Sequence, residues 1–188
     1  QLGRFSVIME KYLDRILITE DEINQRVKTL AKQIDEDYKD SDSLISICVL
    51  KGAVIFFSQL VKYMKKEMVL DFMIVSSYGD NVHSSGNIKI LLDMENDVRG
   101  KDVLIIEDVI DTGYTLERLT SLIKERGAKS VSIAALLDKK ESRKVDVEVK
   151  YAGFEIGNEF VVGYGLDYAQ KYRNLPYIGV LNKNLYLL

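Results

Sequence analysis

Apolar residues recur along the chain with two different periods, and the alternation between them sets the fold class. Behind Thr19, whose spacing to Glu22 is a capping-box signature, Ile23, Val27, Leu30, Ala31, Ile34 and Tyr38 recur at helical spacing. They predict one long amphipathic helix. Leu44 to Leu50 is a short apolar run that reads as a strand, and Lys51-Gly52 as a tight turn. Phe57, Leu60, Val61 and Met64 then mark the apolar stripe of a second helix. Leu70 to Ser76 and Ile88 to Leu92 read as strands on either side of Tyr78 to Asn87, a polar stretch with two glycines and the composition of a mobile loop. After the turn Arg99-Gly100-Lys101-Asp102 comes Val103 to Ile106, apolar throughout, as a strand buried on both faces must be. A helix follows over 115–126, with Leu116, Leu119 and Ile123 on its apolar face and Gly127 at its close, and then a strand from Val131 to Leu137. Val145–Val149, Phe160–Val162 and Ile178–Leu181 are shorter strand-like pieces.

Strands alternating with helices imply right-handed βαβ crossovers, hence an α/β fold with a doubly wound, mainly parallel sheet flanked by helices. No repeat or low-complexity linker divides the chain, and its only proline is Pro176, so residues 1–188 read as a single domain. Residues from about 1–18 and 152–188 are expected to form a small cap, or hood, over one end. In doubly wound sheets ligands bind beyond the carboxyl ends of the strands. Lys51, Glu107, Asp108 and Lys139 each sit just past a predicted strand end.

Composition narrows the classes. A net charge of −3 argues against general nucleic-acid binding. The longest apolar runs fall well short of the roughly 18 residues that a membrane span needs. The single cysteine, Cys48, lies inside an apolar run and reads as a buried structural thiol in a reducing, cytoplasmic compartment. One cysteine and one histidine, His83, build neither a zinc site nor a Ser-His-Asp triad. Gln1 to Ile8 is too short an apolar stretch for a signal peptide. It reads either as a native extension or as residues added ahead of Met9.

The segment from Val103 to Leu116 carries the chemistry. Glu107, Asp108 and Asp111 form an acidic loop after the strand, followed by Thr112-Gly113-Tyr114-Thr115 and a helix start. The free N–H groups of a helix start bind anions, and the two threonine hydroxyls add donors. Carboxylates beside such a site would repel a bare phosphate. They suit a ligand that also carries hydroxyls, a metal or a developing positive charge, as a sugar phosphate with Mg²⁺ does.

The run Glu107-Asp108-Val109-Ile110-Asp111-Thr112-Gly113-Tyr114-Thr115 resembles the phosphoribosyl-pyrophosphate (PRPP) motif of type I phosphoribosyltransferases. The similarity extends to Leu50-Lys51-Gly52, Ser77-Tyr78-Gly79, Lys139, Phe160 to Tyr168 and Arg173, over roughly residues 10–182. The stretch Phe160-Val161-Val162-Gly163-Tyr164-Gly165-Leu166-Asp167-Tyr168 points to the branch that uses hypoxanthine and guanine. The resemblance implies the type I fold with its hood, and purine salvage from PRPP. It implies that Glu107 and Asp108 hold the ribose hydroxyls and one Mg²⁺, and that residues 111–115 wrap the 5′-phosphate. Asp111 is then the general base that takes a proton from purine N7; the lesser alternative is a helix-capping aspartate. Lys51-Gly52, after a non-proline cis peptide, and Arg173 would meet pyrophosphate. Lys139 would donate to the purine O6, Phe160 would stack on the ring, and main-chain atoms of Val161 and Asp167 would face its exocyclic positions. The Asp167 carboxylate would hold a second Mg²⁺ through water. Ser77 and Tyr78 would open a lid that closes over pyrophosphate. A homodimer or homotetramer is implied, with PRPP and 6-oxopurine bases as partners and neither nucleic acid nor membrane.

Other readings compete. The same chemistry on xanthine or a pyrimidine keeps every motif. A PRPP-sensing regulator would leave Lys51, Lys139 and Phe160 idle and lacks a visible DNA-binding element. An aspartic protease read from Asp111-Thr112-Gly113 needs an all-β setting.

Overall fold

Strands that are apolar at every position are buried only if both faces of their sheet are covered, and helices cover both here. The computed structural model describes residues 11–77 and 88–186. In chain order come β1 (Leu13–Ile18), α1 (Glu20–Asp37), β2 (Leu44–Val49), α2 (Val54–Tyr63), β3 (Val69–Ser77) and β4 (Ile88–Leu92). They are followed by β5 (Asp102–Ile110), α3 (Tyr114–Glu125), β6 (Ser130–Asp138), β7 (Tyr151–Glu155), β8 (Val161–Val162) and β9 (Ile178–Leu181). Six strands form one sheet in the order β4-β3-β2-β5-β6-β7, parallel except between β3 and β4. The expected doubly wound, mainly parallel α/β architecture is what the chain adopts.

The two-residue side-chain period of the strands builds two cores. Leu44 and Cys48 of β2, Leu104 and Ile106 of β5, and Ala134 and Leu136 of β6 pack with Ile23, Val27, Leu30 and Ile34 of α1 and Phe56, Phe57 and Leu60 of α2. Their neighbours Ile45, Ile47, Val103, Ile105, Ile133 and Ala135 pack on Leu116, Leu119 and Ile123 of α3. The capping box at α1 is complete: Glu22 N–H donates to Thr19 Oγ1 at 3.3 Å, and Thr19 N–H donates to Glu22 at 2.8 Å. At the sheet edge, Arg26 of α1 donates to the carbonyls of Gly153 and Ala152 at 2.8 and 2.6 Å, so β7 exposes fewer free acceptors.

β1, β9 and β8 form a small antiparallel sheet whose own cluster contains Leu13, Val162, Leu175, Tyr177 and Leu181. Its C-terminal contribution begins at Val161, because Tyr151–Glu155 pairs with β6 in the large sheet. Among the described residues no helix is long and apolar enough to cross a membrane.

Three expectations need correction. Glu107 and Asp108 do not lie in a loop but inside β5, which continues to pair with β6 through Ile110. On its other side β5 loses β2 after Ile106, so one edge is open where the carboxylates stand. Val145–Val149 is not a strand. The free edge of β6 is taken by Tyr151–Glu155, while Val147 and Val149 lie as a strap against the α3-side core. The second helix ends at Tyr63, so Met64 is its C-cap, although its side chain still packs in the core with Phe57 and Leu60. The lid expected over Tyr78 to Asn87 lies outside the described residues.

Candidate active site

At the carboxyl end of the sheet three neighbouring strands stop and diverge, which opens a crevice. After β2 the peptide bond joining Leu50 and Lys51 is cis, as the resemblance implies. After β5 the chain turns through Asp111 and Thr112 into α3, whose N-cap is Gly113 with φ +91° and no side-chain cap. Asp111 is therefore not a helix cap and stays exposed. After β6 comes Lys139, whose N–H returns to the Ile110 carbonyl at 2.9 Å. A buried ion pair between Asp138 and Arg143 and the bond from Lys144 N–H to Thr112 O at 2.9 Å brace this turn from below.

Two cavities adjoin there. The first, of about 190 Å³, is lined by Glu107, Asp108, Asp111, Thr112, Gly113 and Thr115 together with Val109, Ile110 and Leu116. The second, of about 230 Å³, is lined by Asp108, Val109, Lys139, Phe160, Val161, Leu166 and Asp167. Asp108 and Val109 belong to both, so a ligand with a polar and an aromatic half could span them. A groove of about 330 Å³ between α3 and residues 146–150 is larger, but its charges are mixed and it lies away from the strand ends.

Electrostatics separate the carboxylates. Burial, with the charge of Asp108 beside it, pushes the Glu107 carboxyl well above its usual range, although Asp108 N–H donates to it at 3.0 Å. Val109 N–H donates to Asp108 at 2.7 Å. Beneath them Cys48 is fully buried, and burial, then Glu107 and Asp108, push its thiol up to about 12. That thiol is no nucleophile.

Close backbone approach joins the remaining pieces. A side chain at Gly52 would collide with the Asp108 carboxylate, and one at Gly165 (φ +104°) would collide with the Gly52 carbonyl. Arg173 Nη1 donates to Gly165 O at 2.7 Å and its Nη2 lies 2.9 Å from Asp167, whose other oxygen accepts Gln170 N–H at 2.8 Å. The buried Tyr164 hydroxyl bonds Gln59 of α2, which bonds Asn24 of α1, so the loop at 163–165 is tied to both helices. Lys139 Nζ donates to Glu159 O at 2.9 Å beside the exposed ring of Phe160. Lys51 and Tyr114 line neither cavity: Lys51 is exposed beyond the cis peptide, and Tyr114 is the first residue of α3. The Ser77 backbone ends β3, and Tyr78 lies outside the described residues. Sequence reasoning did not single out Val109, Ile110, Leu116 and Leu166 as lining residues, since each looks like core.

The family profile described as phosphoribosyl transferase domain matches residues 18–169. The chain belongs to the phosphoribosyl transferase family. Within that family it is 48% identical to the hypoxanthine-guanine phosphoribosyltransferases of Streptococcus thermophilus and Bacillus subtilis, over 95% of this chain and 99% of each relative. Its fold is similar to that of the hypoxanthine phosphoribosyltransferase of Staphylococcus aureus, with a TM-score of 0.91 at 44% identity, covering 95% of this chain and 97% of the other. The similarity read from residues 107–115 and 160–168 thus extends over nearly the whole phosphoribosyltransferase chain.

Proposed function

We propose that this phosphoribosyltransferase moves the 5-phosphoribosyl group of PRPP to N9 of hypoxanthine and guanine, releasing pyrophosphate and forming IMP and GMP. The observation that supports this most is the pair of adjoining cavities sharing Asp108 and Val109. One combines carboxylates with a helix start, as a ribose 5-phosphate needs. The other combines a lysine and an open aromatic ring, as a 6-oxopurine needs.

In this reading Thr112, Gly113, Tyr114 and Thr115 wrap the 5′-phosphate, with Tyr114 contributing its backbone N–H. Lys51, Gly52 and Arg173 meet the pyrophosphate. Phe160 stacks on the base, Lys139 donates to O6 in exchange for Glu159 O, and Val161 and Asp167 face the exocyclic positions. As N9 forms its bond to C1′, the C1′–O bond breaks and pyrophosphate leaves with the electron pair, while the N7 proton passes to Asp111. Carboxylates at Glu107 and Asp108 stabilise the oxocarbenium character that develops at C1′.

Mg²⁺ fits this donor set as an ion carried largely by the substrate. Among the described residues no group of three or more acidic, Cys or His side chains forms a cage, and Mg²⁺ characteristically takes one or two carboxylates with phosphate oxygens and water. Glu107 and Asp108 would hold one ion together with the ribose hydroxyls, and Asp167 a second through water. An ion held there would supply positive charge beside the pyrophosphate that leaves. The enzyme is proposed to work as a homodimer or homotetramer in the cytoplasm. A second copy would cover Leu70, Phe72, Leu91 and Leu92, which are exposed on β3 and β4.

The test is incubation with PRPP, Mg²⁺ and one free base at a time, from hypoxanthine, guanine, xanthine and a pyrimidine. Nucleotide and pyrophosphate should appear in equal amounts with hypoxanthine and guanine and stop when a chelator removes divalent metal. No nucleotide from either base, or turnover unaffected by the chelator, would overturn this reading.

A further inference from the structure

Phe160 lines the purine-side cavity and is 37% exposed, so part of its ring is open to a ligand. The rest of its surroundings are aromatic. Tyr186 lies with its ring centroid 5.0 Å away at 30°, a tilted stack, and Tyr168 stands edge-on at 5.8 Å and 89°. Tyr186 follows the last strand and belongs to none of the motifs that define the site.

Its position is built rather than accidental. After β9, Asn182 N–H donates to Tyr12 O at 2.9 Å, and the Asn182 side chain accepts Asn184 N–H at 2.9 Å, starting a single 3₁₀ turn over Lys183–Leu185. Leu185 N–H returns to Asn182 O at 3.0 Å, and Tyr186 N–H to Lys183 O at 3.3 Å. The Tyr168 hydroxyl then donates to Leu185 O at 2.6 Å. Tyr168, already edge-on to Phe160, thus also grips the residue before the ring that stacks on it. Both tyrosines and Leu185 pack on the cluster of the small sheet, which ties the arrangement to the hood.

A phenylalanine at the rim of an open cavity loses side-chain freedom when a base stacks on it, and a backing ring removes that loss in advance. We propose that Tyr186 is a positioning residue for purine binding. Held by Tyr168 and the C-terminal turn, its ring backs Phe160 so that the open face of Phe160 meets the base beside Lys139. The contact uses the face of Tyr186 and not its hydroxyl. This inference rests on the 6-oxopurine reading and names a determinant of base affinity that the reading lacks.

The experiment compares wild type with Tyr186→Ala, Tyr186→Phe and Tyr168→Phe by steady-state kinetics in both substrates. Loss of one aromatic pair should raise KM for hypoxanthine and guanine about 3–10-fold in Tyr186→Ala, with KM for PRPP unchanged. Tyr186→Phe should restore the wild-type value. Tyr168→Phe keeps the edge-on ring but frees Leu185, and should give a smaller rise in purine KM. An unchanged purine KM in Tyr186→Ala overturns the positioning role, as does a parallel rise in the KM for PRPP, which marks general loss of hood packing. Failure of Tyr186→Phe to rescue does the same. Wild type that forms no nucleotide overturns the functional reading, and this inference with it.

Discussion

The two ends of β5 treat their carboxylates in opposite ways. At the amino end Asp102 accepts from Ser41 Oγ and Ser130 Oγ, each at 2.6 Å, with Lys129 Nζ 3.6 Å away. Burial pushes that carboxyl up, but the two hydroxyls and the ammonium outweigh it and hold it below its ordinary value. At the carboxyl end Glu107 and Asp108 have each other and backbone N–H groups, and burial drives Glu107 well above the usual range. Protein groups complete the polar interactions of Asp102. Those of the Glu107–Asp108 pair are not completed by protein groups, and under the proposed function a ligand would complete them.

Asp111, one residue beyond that strand, should give the largest response. Asn keeps its size and loses its basicity, so Asp111→Asn should lower turnover about 10²- to 10⁴-fold while PRPP still binds. Initial rates across the full pH range decide it. Near-normal turnover throughout would remove Asp111 as the base and move the chemistry to the pair inside the strand.

Next comes Glu107→Gln, which separates stability from binding. Gln can still accept the Asp108 N–H, and it removes a carboxyl whose charged form burial and the neighbouring Asp108 disfavour. Without ligand the variant should melt about 2–6 °C higher. Its affinity for PRPP should fall about tenfold or more, since charge-assisted bonds to the ribose hydroxyls are lost. Calorimetric melting and PRPP titration measure the two. A lower melting temperature would mean that Glu107 is as well satisfied as Asp102, and the contrast along β5 would fail.

The difference between the two cavities also explains what was legible in the sequence. The cradle at 107–116 is one strand, one turn and one helix start in consecutive positions, so period and residue type expose it directly. The purine-side cavity draws on 108–109, 139, 160–161 and 166–167, which only the fold brings together. Periodicity placed Lys139 after a strand but gave Phe160 no neighbours, and the resemblance supplied the connection. Glu107 and Asp108 read as loop because charges rarely sit in a central strand. The reason they do so is the departure of β2 after Ile106, which opens one edge of β5. β1 escaped notice because Leu13–Ile18 carries two register shifts and buries only its ends. Tyr164 and Tyr186 look like ordinary core and tail, since their partners Gln59 and Phe160 are distant in sequence.

The smallest effect, and the sharpest check on the other half of the comparison, concerns Asp102. A carboxyl held below its ordinary value of 3.8 contributes stability that is fully present above that pH. The contribution shrinks as pH falls through the lowered value, because the folded state must then take up a proton the unfolded state already holds. Asp102→Asn keeps the shape and removes the titration. Wild type should therefore be more stable than the variant by about 1–2 kcal/mol at pH 7, through its charge-assisted bonds to two hydroxyls. Urea unfolding from pH 7 to 3 should show a constant gap at first, narrowing as pH drops below 3.8. Purine and PRPP kinetics should not change, since Asp102 lies about 16 Å along the strand from Glu107. A gap of the same size at pH 3 would show that Asp102 acts through packing rather than charge. A fall in turnover would show that the two ends of β5 are not independent.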